Sequence, residues 1–112
     1  MAVVAGDRIM LRGQTGMGFD EKLHGAGDAK AQAEQAMENV ATLLSEAGSS
    51  LGDVVKATAY VTDRAFLAEV NEVVLRRLGN TPAFTTVVVK GLAGPELLME
   101  VDIVAVTRGK GQ

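Results

Sequence analysis

The chain has 112 residues, 47% hydrophobic and 22% charged, with a net charge of −3: enough for one domain (residues 1–112) with one core, and too few for two. It has no cysteine, which removes disulfides, thiolate catalysis and cysteine-based metal sites. No apolar run approaches the roughly 18 to 20 residues that span a membrane, no secretory leader is evident at the N-terminus, and the scattered Lys and Arg with one Tyr, three Phe and no Trp offer neither a basic face nor stacking platforms, so a cytoplasmic protein with no membrane and no nucleic-acid partner is expected.

In chain order, Ala2 to Val4 and Arg8 to Leu11 read as two short strands around a Gly6-Asp7 turn. Residues 13–27 are rich in Gly and polar residues and read as a loop. A long helix follows, about 28 to 47, in which Ala33, Met37, Val40, Leu44 and Ala47 recur every three or four residues and Ala36 and Leu43 widen the stripe. Asp28 is placed to cap its start and Gly48 to end it. Residues 54–61 alternate as a strand, with Val55, Ala57, Ala59 and Val61 on one face and Lys56, Thr58 and Tyr60 on the other. Asp63 caps a second helix, about 64 to 78, with Phe66, Val70, Val73 and Val74 inward; Gly79 closes it and Pro82 prevents a restart. The Arg76-Arg77 pair suits the negative end of that helix. Phe84 to Val89 is a β-branched strand, residues 91–95 a turn, Leu97 to Thr107 the last strand, and Arg108 to Gln112 a short frayed tail.

The order ββαβαββ implies an α+β layer, one mixed sheet with two helices on one face. The other face carries Thr58, Tyr60 and the acids of the last strand among apolar residues. An uncovered face of this kind calls for a partner, and a homo-oligomer is expected.

Glu100 and Asp102 lie two apart on the last strand and therefore share a face with Leu98, Val104 and Val106. Carboxylates among aliphatic side chains have raised pKa values, through desolvation and mutual repulsion, which suits acid–base chemistry. A solvated edge or an intersubunit salt bridge explains the same spacing. His24, the one histidine, has no partner at metal-ligand spacing, so no metal is expected. No nucleophile–base pair and no phosphate loop is present.

Several segments, in order along nearly the whole chain, resemble one family. Residues 11–14 (LRGQ) are similar to its strand end "ISGQ", and residues 31–40 (AQAEQAMENV) to its helix "AQAEQALENV". Residues 54–61 (VVKATAYV) are similar to "VVKTTVFV", residues 69–71 (EVN) to "xVN", and residues 99–106 (MEVDIVAV) to "VEIEAIAV". With Asn80-Thr81-Pro82-Ala83 they identify the chain as resembling the Rid (reactive intermediate deaminase, YjgF-like) superfamily. The resemblance implies a chorismate-mutase-like homotrimer with small-molecule sites in clefts between subunits. It implies cofactor-free hydrolysis of enamines and imines, such as 2-aminoacrylate, to 2-keto acids and ammonia. It makes Glu100 the catalytic group that positions or activates water, with Asp102 the second acid. Arg12, Gly13, Gln14, Phe84 and Thr86 then fall at substrate-binding positions.

Two departures bear on the substrate. The family's carboxylate-gripping arginine is Phe84 here, and a phenyl ring cannot hold a carboxylate bidentately. The family's "GPYSQ"-like segment, whose tyrosine lines the pocket, has no counterpart in these residues. A pocket with Phe84 beside Glu100 suits a neutral or cationic ligand with an apolar part. Arg12, where the family usually has a small residue, is a replacement anion-binding charge, a surface arginine, or a salt-bridge partner of Glu100 or Asp102 across the trimer. A divergent deaminase or hydrolase is the first functional expectation. A non-catalytic metabolite-binding or chaperone-like protein is the alternative. An RNA-cleaving translation inhibitor, a role some members of the family are named for, gains nothing from this composition.

Overall fold

A computed structural model describes residues 2–79 and 82–107. Asn80 and Thr81 of the motif before Pro82, and the tail from Arg108 to Gln112, lie outside the described residues. The elements are β1 (Ala2–Ala5), β2 (Arg8–Gln14), α1 (Ala29–Glu46), β3 (Val54–Val61), α2 (Leu67–Leu78), β4 (Ala83–Val88) and β5 (Met99–Val106), with single 3₁₀ turns at Leu51–Asp53 and Arg64–Phe66. The order matches the ββαβαββ expectation. The five strands form one sheet in the order β1-β2-β5-β3-β4. All neighbours are antiparallel except β3 and β4, which run parallel through the α2 crossover, as parallel pairing requires.

Both helices pack on one face. Ile9 and Leu11 of β2, Ala57, Ala59 and Val61 of β3, and Met99, Val101, Ile103 and Ala105 of β5 are buried against Ala33, Ala36, Met37, Val40 and Leu44 of α1 and Val70, Val73 and Val74 of α2. Along β5 burial alternates residue by residue, the signature of a strand covered on one face alone. Among the described residues, no helix lies on the other face.

The caps follow the sequence. Asp28 accepts a hydrogen bond from Ala31 N, and Asp63 from Ala65 N at 2.8 Å. Gly79 closes α2 with φ at +70°, which a side chain would resist. Arg76 and Arg77 lie in the last turn of α2, but they do more than complement its dipole. Arg77 pairs with Glu34 at 3.1 Å and Glu38 at 2.6 Å, and Arg76 pairs with Glu34 and, at 2.9 Å, with Glu72. The two guanidinium groups thus fasten α2 to α1. Burial of Glu34 works against its ionisation, but the hydrogen bonds from Arg76 and Arg77 outweigh it and hold the carboxyl below the usual range.

Three local expectations change. The strand β2 continues past Leu11 to Gln14. The register slips between Val54 and Lys56, so Val54 is buried while Val55 is 47% exposed instead of joining Ala57 inside. The extra residue of a bulge reverses the alternation on one side of it. The second helix begins with a 3₁₀ turn and becomes α-helical at Leu67, leaving Phe66 half-buried against the core.

Candidate functional site

The uncovered face of the sheet gathers the polar chemistry. Glu100 pairs across the strands with Tyr60, and Asp102 with Thr58. All four alternate with buried neighbours, so they point away from the helices. The Tyr60 hydroxyl donates to Asp102 Oδ2 at 2.9 Å. That bond, with burial and the charges of Asp102 and Glu100, pushes the phenol up. Burial first, and then the nearby Asp102 charge, push the Glu100 carboxyl up as well. Two of the three causes that shift a carboxyl upward therefore act together on one group.

The floor of this cluster comes from β2. Its register with β5 slips between Leu11 and Gln14, which places Arg12 and Gly13 in a bulge. Glu100 lies directly over Gly13. Gln14 turns inward: the residue is 9% exposed, and its side-chain amide donates back to Arg12 O at 2.8 Å. Arg12 is exposed, and among the described residues of one chain it forms no ion pair with either acid. Around the cluster the face is apolar, with Val3 57% and Met10 37% exposed and paired to each other across β1 and β2.

The residues expected to line one pocket are split by the sheet. Glu100, Asp102, Arg12 and Gly13 share the open face, joined by Tyr60. Phe84 and Thr86 pair with Ala57 and Ala59, both fully buried on the helix side, and so face the opposite way. Phe84 packs against the core. The Thr86 hydroxyl donates to Asn71 Oδ1 of α2 at 2.6 Å, a structural bond on the helix side. Within one chain Phe84 is therefore not beside Glu100: the parallel register fixes the parity of β4, and that parity puts the ring under the sheet. The Gln14 side chain is taken up by its bond to Arg12 O within the bulge. His24 pairs with Asp20 at 3.0 Å, and this bond holds the Asp20 carboxyl below its ordinary value. No group of three or more acidic or histidine side chains is arranged to hold a metal ion among the described residues.

Two buried amides were not foreseen as site supports. Gln32, fully buried on α1, donates to Gly25 O at 3.0 Å and Glu96 O at 3.1 Å and accepts from Leu98 N at 2.9 Å. Seven residues on, Asn39 donates to Met17 O at 2.8 Å and accepts from Gln35 at 2.8 Å. Together they fasten the segment after β2 and the approach to β5 to one helix. The signal was present as two amides two turns apart on an otherwise apolar stripe.

Comparison with known proteins agrees with this architecture. Residues 1–107 match the family described as Endoribonuclease L-PSP. A RutC family protein of Pyrococcus abyssi is 35% identical over 105 residues, covering 93% of this chain and 82% of that protein. The crystal structure of Escherichia coli TdcF with bound serine superposes with a TM-score of 0.85 at 27% identity, covering 94% of this chain and 84% of that one. A 2-iminobutanoate/2-iminopropanoate deaminase of Salmonella typhimurium is 46% identical, over 46 residues that make up 41% of this chain and 36% of that protein. No helix among the described residues is long and apolar enough to cross a membrane. By ordered motifs, strand topology and these matches, the chain belongs to the Endoribonuclease L-PSP family, the Rid/YjgF superfamily.

Proposed function

We propose that this protein hydrolyses an enamine or imine other than a simple 2-amino acid imine, at a small-molecule site formed where copies of the chain meet in a homotrimer. Glu100 is the acid–base group. The placement of Glu100 carries the reading: a partly desolvated carboxyl, pushed up in pKa, on the face of the sheet away from both described helices. A carboxyl of this kind can accept a proton from water as it adds to a C=N carbon and return one to the nitrogen as ammonia leaves and the carbonyl forms. Asp102 and Tyr60, bonded to each other, set the field around it. The deaminase of Salmonella typhimurium supports the reaction class. The Phe84 ring, where the resemblance expects a guanidinium, argues against the small carboxylate substrates that its name implies.

The test is ammonia release from a panel of imines, with and without a carboxylate, comparing wild type with Glu100→Gln. Turnover of carboxylate-free imines that Glu100→Gln abolishes is expected. No turnover of any member by a folded protein would sink the hydrolase reading. Light scattering tests the trimer independently. A second reading, a metabolite-binding or chaperone-like protein without turnover, is favoured by the commitment of Phe84 and Thr86 to the core side. A saturable, ligand-dependent rise in melting temperature without product would support it.

A further inference from the structure

We propose that Gly13 is a positioning residue: its bare Cα is the seat on which the Glu100 carboxylate rests, and the seat fixes how the acid stands on the open face. The proposal rests on the reading of Glu100 as the reactive group and adds the element that orients it. A Cβ built on Gly13 would stand 2.2 Å from Glu100 Oε2, 2.6 Å from Cδ and 3.0 Å from Cγ. The whole end of the glutamate therefore occupies the space that any other residue would fill. The backbone of Gly13 is not in the left-handed region, so an alanine could adopt its conformation. Here glycine is needed for space. At Gly79, by contrast, φ is +70° and nothing lies within 4 Å of an added Cβ.

The seat is braced from below. The bulge between Leu11 and Gln14 brings Gly13 under β5, Gln14 bonds back to Arg12 O at 2.8 Å, and Asn39 holds the chain that follows through Met17 O at 2.8 Å. The backbone is pinned, whereas the end of Glu100, once pushed off its seat, can turn about its side-chain torsions. Alanine at position 13 should therefore move the acid and leave the fold in place. Outward rotation puts the carboxylate into water, away from Asp102 and Tyr60, with Arg12 the nearest cation along β2. Relief of desolvation lowers the pKa of a carboxyl.

The experiment is a carbon-detected NMR titration of the Glu100 carboxyl in wild type, Gly13→Ala and Gly91→Ala, where an added Cβ meets nothing within 4 Å. The Glu100 midpoint should fall by about half a pH unit or more in Gly13→Ala and stay put in Gly91→Ala. An unchanged midpoint in a folded Gly13→Ala protein overturns the proposal. If Gly13→Ala does not fold, the double variant Gly13→Ala, Glu100→Ala must fold, because the obstacle has been removed. A double variant that also fails would show that the backbone, not the carboxylate, excludes the methyl. Turnover plays no part in this readout, so failure of the hydrolase reading leaves the titration result standing.

Discussion

Replacing Gln32 by leucine would test how α1 holds the approach to the acid-bearing strand. The side chain is fully buried and serves three backbone groups at once: the Gly25 and Glu96 carbonyls and the Leu98 N–H. Leucine has nearly the same volume, so the loss is one of hydrogen bonds and not of a cavity. A buried backbone group left without a partner costs about 1–3 kcal/mol. Gly25 is half-exposed and Glu96 exposed, so water can take up part of the two carbonyl bonds, and the sum comes down to about 2–4 kcal/mol. That is a large share of the roughly 5–15 kcal/mol by which a domain is stable. Urea unfolding at fixed protein concentration should show a lower midpoint with an unchanged slope. Gln32→Glu keeps the acceptor for Leu98 but turns a carboxylate towards two carbonyls. It should be less stable than the leucine variant at neutral pH and recover as the acid protonates. A loss below about 0.5 kcal/mol in the leucine variant would mean that the amide is not a clamp.

Glu100→Gln should be more stable than wild type at neutral pH. The folded-state pKa of Glu100 is raised, so the fold favours the neutral form. That contribution is fully present below the unfolded pKa and is lost as pH rises through the folded one. The stability gap between variant and wild type should therefore close towards acid pH, and a gap that does not change with pH would refute the sign. Phe84→Arg should lower stability by about 1–3 kcal/mol, less than for a fully buried ring, because Phe84 packs against the core on the helix side; an unchanged unfolding midpoint would place the ring elsewhere. Thr86→Val should cost about 1 kcal/mol by leaving Asn71 Oδ1 without its donor, and Asn71→Ala added to Thr86→Val should then cost less than it does alone.

The fold was legible because each element carried its own signals. The period of α1, the Asp28 and Asp63 caps, the Gly79 stop and the alternation of β5 each point to one structure. The site was legible only in part. Glu100 and Asp102 sit on one regular strand, where spacing alone fixes their face. Phe84 and Glu100 are on different strands, and their relative side depends on pairing register, which a strand's own residues do not reveal. Val55 was misplaced for a related reason, since a bulge at Val54–Lys56 reverses parity without a glycine or proline to mark it. The roles of Gln32 and Asn39 depend on where two loops pass, and loop paths leave no periodic trace.

The place of β5 in the sheet has a consequence for how the molecule comes to exist. It comes last among the described strands, yet it lies in the middle, and it alone joins the β1–β2 hairpin to the β3–α2–β4 unit within the sheet. Until residue 99 has left the ribosome, these are two half-sheets with no common edge. Closing the sheet links positions nearly the whole chain apart, as in Arg8 with Val106, and long-range pairing of this kind is slow. Folding should therefore complete only once β5 has been made, and removing β5 should abolish the structure instead of trimming it. The strand that carries the acid is also the keystone, so no folded form of this chain can arise in which Glu100 has yet to be placed.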